Sequence, residues 1–208
     1  MTMCLFRSSN GLSDMFPYGN MLAVTNRHLC DGPFLAQVER VAAKKPRGII
    51  LREKDLEASE YLELAEKVQK ICRKYGVACI LHSRIETAQR LACSAVHLPF
   101  SGFCSLSDKG NVLEGFDTVG VSVHSVKEAV AAERMGAGYV TAGHIFLTDC
   151  KKGLPARGIP FLKNVCTAVR IPVYAIGGIN PDNVKDVLDA GAAGFCVMSG
   201  IMRGPLWR

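Results

Sequence analysis

His124 stands at the end of the apolar run 118–123. It comes one residue before Ser125, which with Glu128 makes the Ser-x-x-Glu pattern of a helix start. An imidazole at the end of a buried strand is placed to carry a proton, because its ordinary pKa lies nearest working pH. A histidine that only packs or caps would occupy the same place. Arg52 and Lys54 follow the run 48–51 two positions apart, so both point to one side if the strand persists. They suit a carboxylate or a phosphate, Arg52 in bidentate fashion, or else a surface ion pair with Glu53 or Asp55.

A third group is made of small residues. Gly177-Gly178 follows the apolar run 172–176, and Ser199-Gly200 follows 194–198. Glycine lets a backbone turn tightly and approach a ligand, and free amides at strand ends favour an anion. The same glycines would serve to pack a helix against a sheet. Between the two halves of the chain, Gly143 to Gly153 is polar, basic and long enough for a lid, with Thr148 and Lys151 as its substrate-facing groups. His82 and His97 fall near strand ends and are read as packing or supporting groups, and His28 as a surface residue. The five histidines are dispersed and no carboxylate pair stands at the third and fourth strand ends, so neither a metal site nor a cofactor is expected.

The elements that must hold these residues alternate. Strands are expected at about 21–25, 48–52, 77–81, 95–98, 118–123, 139–142, 172–176 and 194–198. Between them lie amphipathic stretches, of which 59–75 is the clearest. Eight strand–crossover units argue a parallel α/β sheet. No Gly-x-Gly-x-x-Gly follows the first strand, which favours a closed (β/α)8 TIM barrel over an open doubly wound sheet. In such barrels catalytic groups sit at the C-terminal strand ends, and the loops after strands 7 and 8 form the usual phosphate site.

Two parts of the pattern are thin. Residues 101–115 show no strong helical period, so the fourth crossover reads as reduced. The sequence also runs out at Arg208, with no room for an eighth helix. Residues 1–20 read as an irregular arm and 21–208 as the single barrel domain. An absent three-turn helix would forgo burial worth on the order of 5–10 kcal/mol at ~25 cal/mol/Å², comparable with a whole domain's ~5–15 kcal/mol. The arm, a missing sequence end or a second subunit should therefore cover strand 8, and a homodimer or larger assembly is expected.

Composition excludes several classes. Apolar residues make up 49% of the 208, enough for a large core, and no run is long enough to span a bilayer. The start lacks a signal-peptide pattern, so a cytoplasmic protein is expected. Nine scattered cysteines without a Cys-x-x-Cys pair fit reduced buried thiols. The net charge of +6 is spread out, not gathered into a stripe with interleaved aromatics, which argues against nucleic acid.

Several motifs taken together resemble the thiamin phosphate synthase superfamily. In order they are 23–27 (Ala-Val-Thr-Asn-Arg), 51–55 (Leu-Arg-Glu-Lys-Asp), 95–98 (Ala-Val-His-Leu), 120–125 (Gly-Val-Ser-Val-His-Ser), the 143–153 loop, 175–179 (Ala-Ile-Gly-Gly-Ile) and 197–201 (Val-Met-Ser-Gly-Ile). The resemblance covers about Met21 to Arg203. The synthases join a pyrimidine pyrophosphate to a thiazole phosphate and need magnesium, held by an Asn-Asp pair after strand 3 and an aspartate after strand 4. Here those places read His82-Ser83 and Leu98-Pro99-Phe100-Ser101-Gly102, and the synthase Thr-x-Thr-Lys reads Thr148-Asp149-Cys150-Lys151.

These departures are similar to the thiazole tautomerase (TenI-type) branch. That likeness implies an isomerase which aromatises a carboxythiazole phosphate without metal. His124 would be the proton carrier, Gly177, Gly178, Ser199 and Gly200 would hold the phosphate, and Arg52 and Lys54 the carboxylate. The competing expectations are a thiamin phosphate synthase with unusual metal ligation and a non-catalytic, regulatory binder of thiamin phosphates.

Overall fold

The computed structural model describes residues 16–207 apart from Lys109 and Lys152. Strands β1 (Met21–Val24), β2 (Gly48–Leu51), β3 (Ala78–His82), β4 (Ala95–Pro99), β5 (Thr118–Val123), β6 (Tyr139–Gly143), β7 (Val173–Ile176) and β8 (Gly194–Val197) form a closed barrel in sequence order. Every neighbouring pair is parallel, and β8 returns to β1 with Cys196 opposite Leu22. Between the strands run α1 (Phe34–Ala43), α2 (Ala58–Tyr75), α3 (Ile85–Arg90), α4 (Phe100–Ser107), α5 (Val126–Arg134), α6 (Gly158–Ala168) and α7 (Val184–Asp189). A last turn, α8 (Ser199–Met202), follows β8. The expected (β/α)8 barrel is thus the observed fold.

Alternation along the strands divides the apolar residues between two cores. Met21 and Ala23 of β1 join the layer between strands and helices, while Leu22 and Val24 point inward with Ile50, Ile80, Tyr139, Tyr174 and Cys196. Tyr139 and Tyr174 fill the barrel interior edge to face, their ring centroids 5.5 Å apart. Gly120 and Gly194 make room for them, because a Cβ would lie 2.0 Å from Cζ of Tyr139 and 2.7 Å from Cε1 of Tyr174, respectively.

Helix boundaries follow local chemistry. Glu57 and Glu60 cap α2 reciprocally, and Gly76 ends it in the left-handed region at φ 68°. The fourth crossover holds more helix than its sequence pattern suggests. Ser105 and Ser107 return their hydroxyls to the carbonyls four residues back, which hides a helix in a serine-rich stretch. The helix after β7 starts at Val184, later than the Asn180-Pro181 pair suggests, because Asn180 first caps the amide of Asp182 in a tight turn.

The eighth helix is reduced to the single turn α8. The outer face of β8 is closed from within the chain, by residues at both described ends. Phe16 packs on Phe195 at 5.3 Å and on Trp207 at 4.7 Å, and the Tyr18 hydroxyl donates to the Trp207 carbonyl at 2.7 Å. Phe16 and Tyr18 are buried, so the described end of the expected arm belongs to the barrel. Residues 1–15, the rest of that arm, lie outside the described residues. The arm, one of the three covers expected for strand 8, thus contributes Phe16 and Tyr18 to it.

Candidate active site

The C-terminal strand ends enclose a cavity of about 670 Å³, in the range of small-ligand sites. Its floor is a buried polar chain. His97 on β4 places Nδ1 3.0 Å from the Tyr139 hydroxyl and Nε2 2.8 Å from the Ser122 hydroxyl. Thr141 in turn donates to Ser122 at 3.2 Å. Full burial, with a smaller contribution from His82, pushes the His97 pKa down to about 3, so the ring is neutral. Hydroxyls both donate and accept, so the pair satisfies either neutral tautomer. Ser122 and Thr141 are left facing the cavity with their oxygens held in place.

On the rim, His124 is exposed and lines the cavity. Its Nδ1 lies 2.9 Å from the Gly143 carbonyl, which can only accept, so Nδ1 carries the proton and Nε2 of the neutral ring is the free acceptor. Glu128 anchors the residue from behind. Its carboxylate takes the His124 amide at 2.5 Å while its own amide donates to Ser125.

The β2 end is cationic. Arg52 and Lys54 both line the cavity, and among the described residues neither pairs with a carboxylate. The expected partners are taken elsewhere. Glu53 is buried and accepts from the Thr25 hydroxyl at 2.7 Å and from the Arg27 amide and guanidinium. Asp55 holds Arg27 in a bidentate pair at 2.6 Å and His28 at 2.9 Å, contacts that keep its carboxyl well below the usual range. Arg52 first, then burial, then Lys151 lower the pKa of Lys54. Since β6 and β2 stand on opposite sides of the ring and Lys54 and Lys151 line one cavity, the loop after β6 extends over the mouth. Thr148 and Lys151 line the cavity from that loop. Burial, then Arg52 and Lys54, push His82 down to about 4.

The glycine ends of β7 and β8 hold two kinds of residue. Gly177 and Gly178 line the cavity at positive φ, 102° and 69°, and Ser199 lines it beside them. The glycines also seat the loop after β6. Phe146 donates to the Gly177 carbonyl at 3.0 Å, and a Cβ on Gly178 would fall 2.4 Å from the Leu147 carbonyl oxygen. Gly200 is not part of the lining. Its missing side chain makes room for the Trp207 ring, which a Cβ would meet at 2.1 Å. Cys196 lies at the cavity wall as a thiol whose pKa burial raises, which makes it a packing group and not a nucleophile.

Sequence reasoning missed Arg84, which enters the same cavity from the start of α3. It donates to the Leu56 carbonyl at 2.5 Å and lies 5.0 Å over the Tyr61 ring. The available clue was its place two residues past a strand end, close to the rim position of Lys54. The alternative that Glu53 or Asp55 pairs with Arg52 or Lys54 is not realised, because both acids pair across β1 and β2 with Arg27, which is not a sequence-local property. Among the described residues no group of three or more His, Cys, Asp or Glu is placed to hold a metal ion. The places where the synthases keep carboxylates hold neutral His82 and Ser83 after β3 and, after β4, Pro99 to Gly102 without an acid. This donor set does not fit magnesium.

A (β/α)8 barrel with a cationic, glycine-edged mouth has the layout in which such barrels frequently seat a phosphate. Residues 21–201 match the thiamine monophosphate synthase family, and the chain belongs to it. It is 34% identical over 183 residues to a thiamine-phosphate synthase of Clostridium novyi, covering 86% of this chain and 89% of that protein. It is 39% identical over 153 residues to one of Clostridium acetobutylicum, covering 73% and 72%. Among solved structures it resembles a thiamine phosphate pyrophosphorylase from Pyrococcus furiosus, with TM-score 0.77 and 27% identity over 90% of this chain and 89% of that one.

These relatives overturn the tautomerase and isomerase expectation, since proteins 32–39% identical over most of the chain bear the name of a transferase. The reason is physical. The missing acidic residues pointed to a metal-free isomerase, whereas the cavity supplies positive charge from side chains. No helix among the described residues is long and apolar enough to cross a membrane.

Proposed function

We propose that the chain is a transferase of the thiamine-phosphate synthase kind, joining a pyrimidine diphosphate to a thiazole phosphate. One observation carries this reading: the cavity has a glycine-edged end and a cationic end, each suited to an anion, with a polar floor between them. Gly177, Gly178 and Ser199 offer a seat for a monophosphate. Arg52, Lys54 and Lys151 offer a second, more strongly positive one. A reaction on a single phosphate ester needs only the first.

In the transfer, the thiazole nitrogen forms a bond to the pyrimidine's methylene carbon. The bond from that carbon to oxygen breaks, and its electron pair leaves with the diphosphate. Cations fixed at the departing oxygens favour that charge development, which is the kind of electrostatic help that dominates many active sites. Ser122 and Thr141 can read the heterocycle from below. Nε2 of His124 accepts a hydrogen bond from a substrate donor at the rim. The loop after β6 closes the two seats over one reaction space.

The test is direct. Purified chain is given both substrates, and thiamin phosphate is measured by fluorescence after oxidation, with and without magnesium. Product should form, and Arg52→Ala should slow it by at least about tenfold. Binding of both substrates with no product under either condition would leave the second reading, a non-catalytic binder of thiamin phosphates. The lack of magnesium ligands favours that alternative.

A further inference from the structure

The cavity's charge does not balance. Arg52, Lys54, Arg84 and Lys151 line it, and the one carboxylate in the lining, Glu53, is occupied by Thr25 and Arg27. Arg84 is the telling member. Its guanidinium is fixed by a carbonyl and an aromatic ring, Leu56 and Tyr61, neither of which neutralises it. It is half-buried, and no carboxylate pairs with it among the described residues. A cation held in one geometry beside other cations raises the energy of the empty site, and the natural relief is a polyanion. Asp55, beside Lys54 in sequence, is turned away into the Arg27–His28 cluster.

We infer that Arg84, with Arg52, Lys54 and Lys151, forms a diphosphate seat that balances the charge of its ligand without a divalent cation. The identity of the diphosphate substrate rests on the transferase reading; the seat itself rests on these side chains and on a donor set that does not fit magnesium. Arg84 stands two residues after His82, at the strand end where the resembling synthases carry carboxylates for their metal. A guanidinium there contributes the positive charge from the chain, and its planar fork engages two phosphate oxygens at once. Lys54 reports the crowding, for Arg52 and Lys151 both disfavour its proton. An anion in the seat reverses that effect, so binding near the lysine's lowered pKa takes up protons.

The experiment titrates inorganic pyrophosphate into the full chain by calorimetry, once in EDTA and once in magnesium. Binding should occur in EDTA and gain nothing from the metal, and it should weaken as salt is raised. Arg84→Gln should weaken it by at least about tenfold, or ~1.4 kcal/mol. Thiazole phosphate, seated at β7 and β8, should bind the variant as before, which also certifies its fold. Arg84→Lys, keeping charge without the fork, should recover part of the loss. Pyrophosphate binding that requires magnesium, or that ignores Arg84→Gln, overturns the inference. Product formation only with magnesium sinks this inference and leaves the transferase standing. An Arg84-dependent seat in EDTA with no product does the reverse.

Discussion

Acidification should act on this protein through His97 in a way that one substitution can isolate. The ring is buried between the Tyr139 and Ser122 hydroxyls, and its pKa in the folded protein is held down to about 3, against ~6.5 in an unfolded chain. As pH falls below the unfolded value, the unfolded chain takes a proton that the folded chain refuses, so stability drops. The contribution is intact above ~6.5 and is lost progressively down to the folded pKa, at up to ~1.4 kcal/mol per pH unit. At about pH 4.5 the loss from this residue alone is on the order of 2–3 kcal/mol, a large part of a typical ~5–15 kcal/mol.

His97→Gln keeps a group that can donate and accept but does not titrate. At neutral pH it should be less stable than the parent by ~1–2 kcal/mol, because its hydrogen bonds are less well placed. Urea denaturation of both proteins across this range should show the gap closing, and then reversing, as pH falls. Every other titration cancels in the difference. Parallel stability curves for the two proteins would refute the claim that His97 is buried and neutral.

Three further outcomes follow from the geometry. Gly178→Ala places a Cβ 2.4 Å from the Leu147 carbonyl oxygen at a φ of 69°. It should lower stability by ~1–3 kcal/mol and raise KM by unseating the loop, as read from thermal melts and steady-state kinetics. Phe16→Ala should cost about 3 kcal/mol and shift the emission of Trp207, the sole tryptophan, to the red, because it uncovers the indole's apolar contact. Lys54→Met should weaken pyrophosphate binding and flatten its dependence on salt. It should also abolish proton uptake on binding, which a pH-indicator titration reads.

The barrel was legible because its signals are local. Each strand announces itself as a short apolar run between breakers, and all eight fall within a residue or two of expectation. The parts that were not legible depend on contacts distant in sequence. Strand 8 lacked a visible cover because that cover is made by Phe16, Tyr18 and Trp207, residues nearly the whole chain apart that only closure of the ring brings together. Gly200 read as a phosphate ligand for the same reason. Its neighbour Ser199 does line the cavity, but the space above Gly200 belongs to an indole seven residues on.

The site divides along the same line. A strand-end residue such as His124 or Arg52 can be read from its position, since a barrel delivers every strand end to one rim. What the rim is for depends on net charge there, and net charge depends on who pairs with whom. The sequence shows acids and bases interleaved from Arg52 to Asp55, which leaves an anion seat and a local ion pair both open. Folding sorts them: Arg27, one strand away, takes both acids and leaves the bases facing the cavity. The missing magnesium ligands then have a meaning opposite to the one their absence first suggests. A mouth whose cations, the anchored Arg84 among them, meet no free carboxylate is positive, and a positive mouth suits a polyanionic substrate.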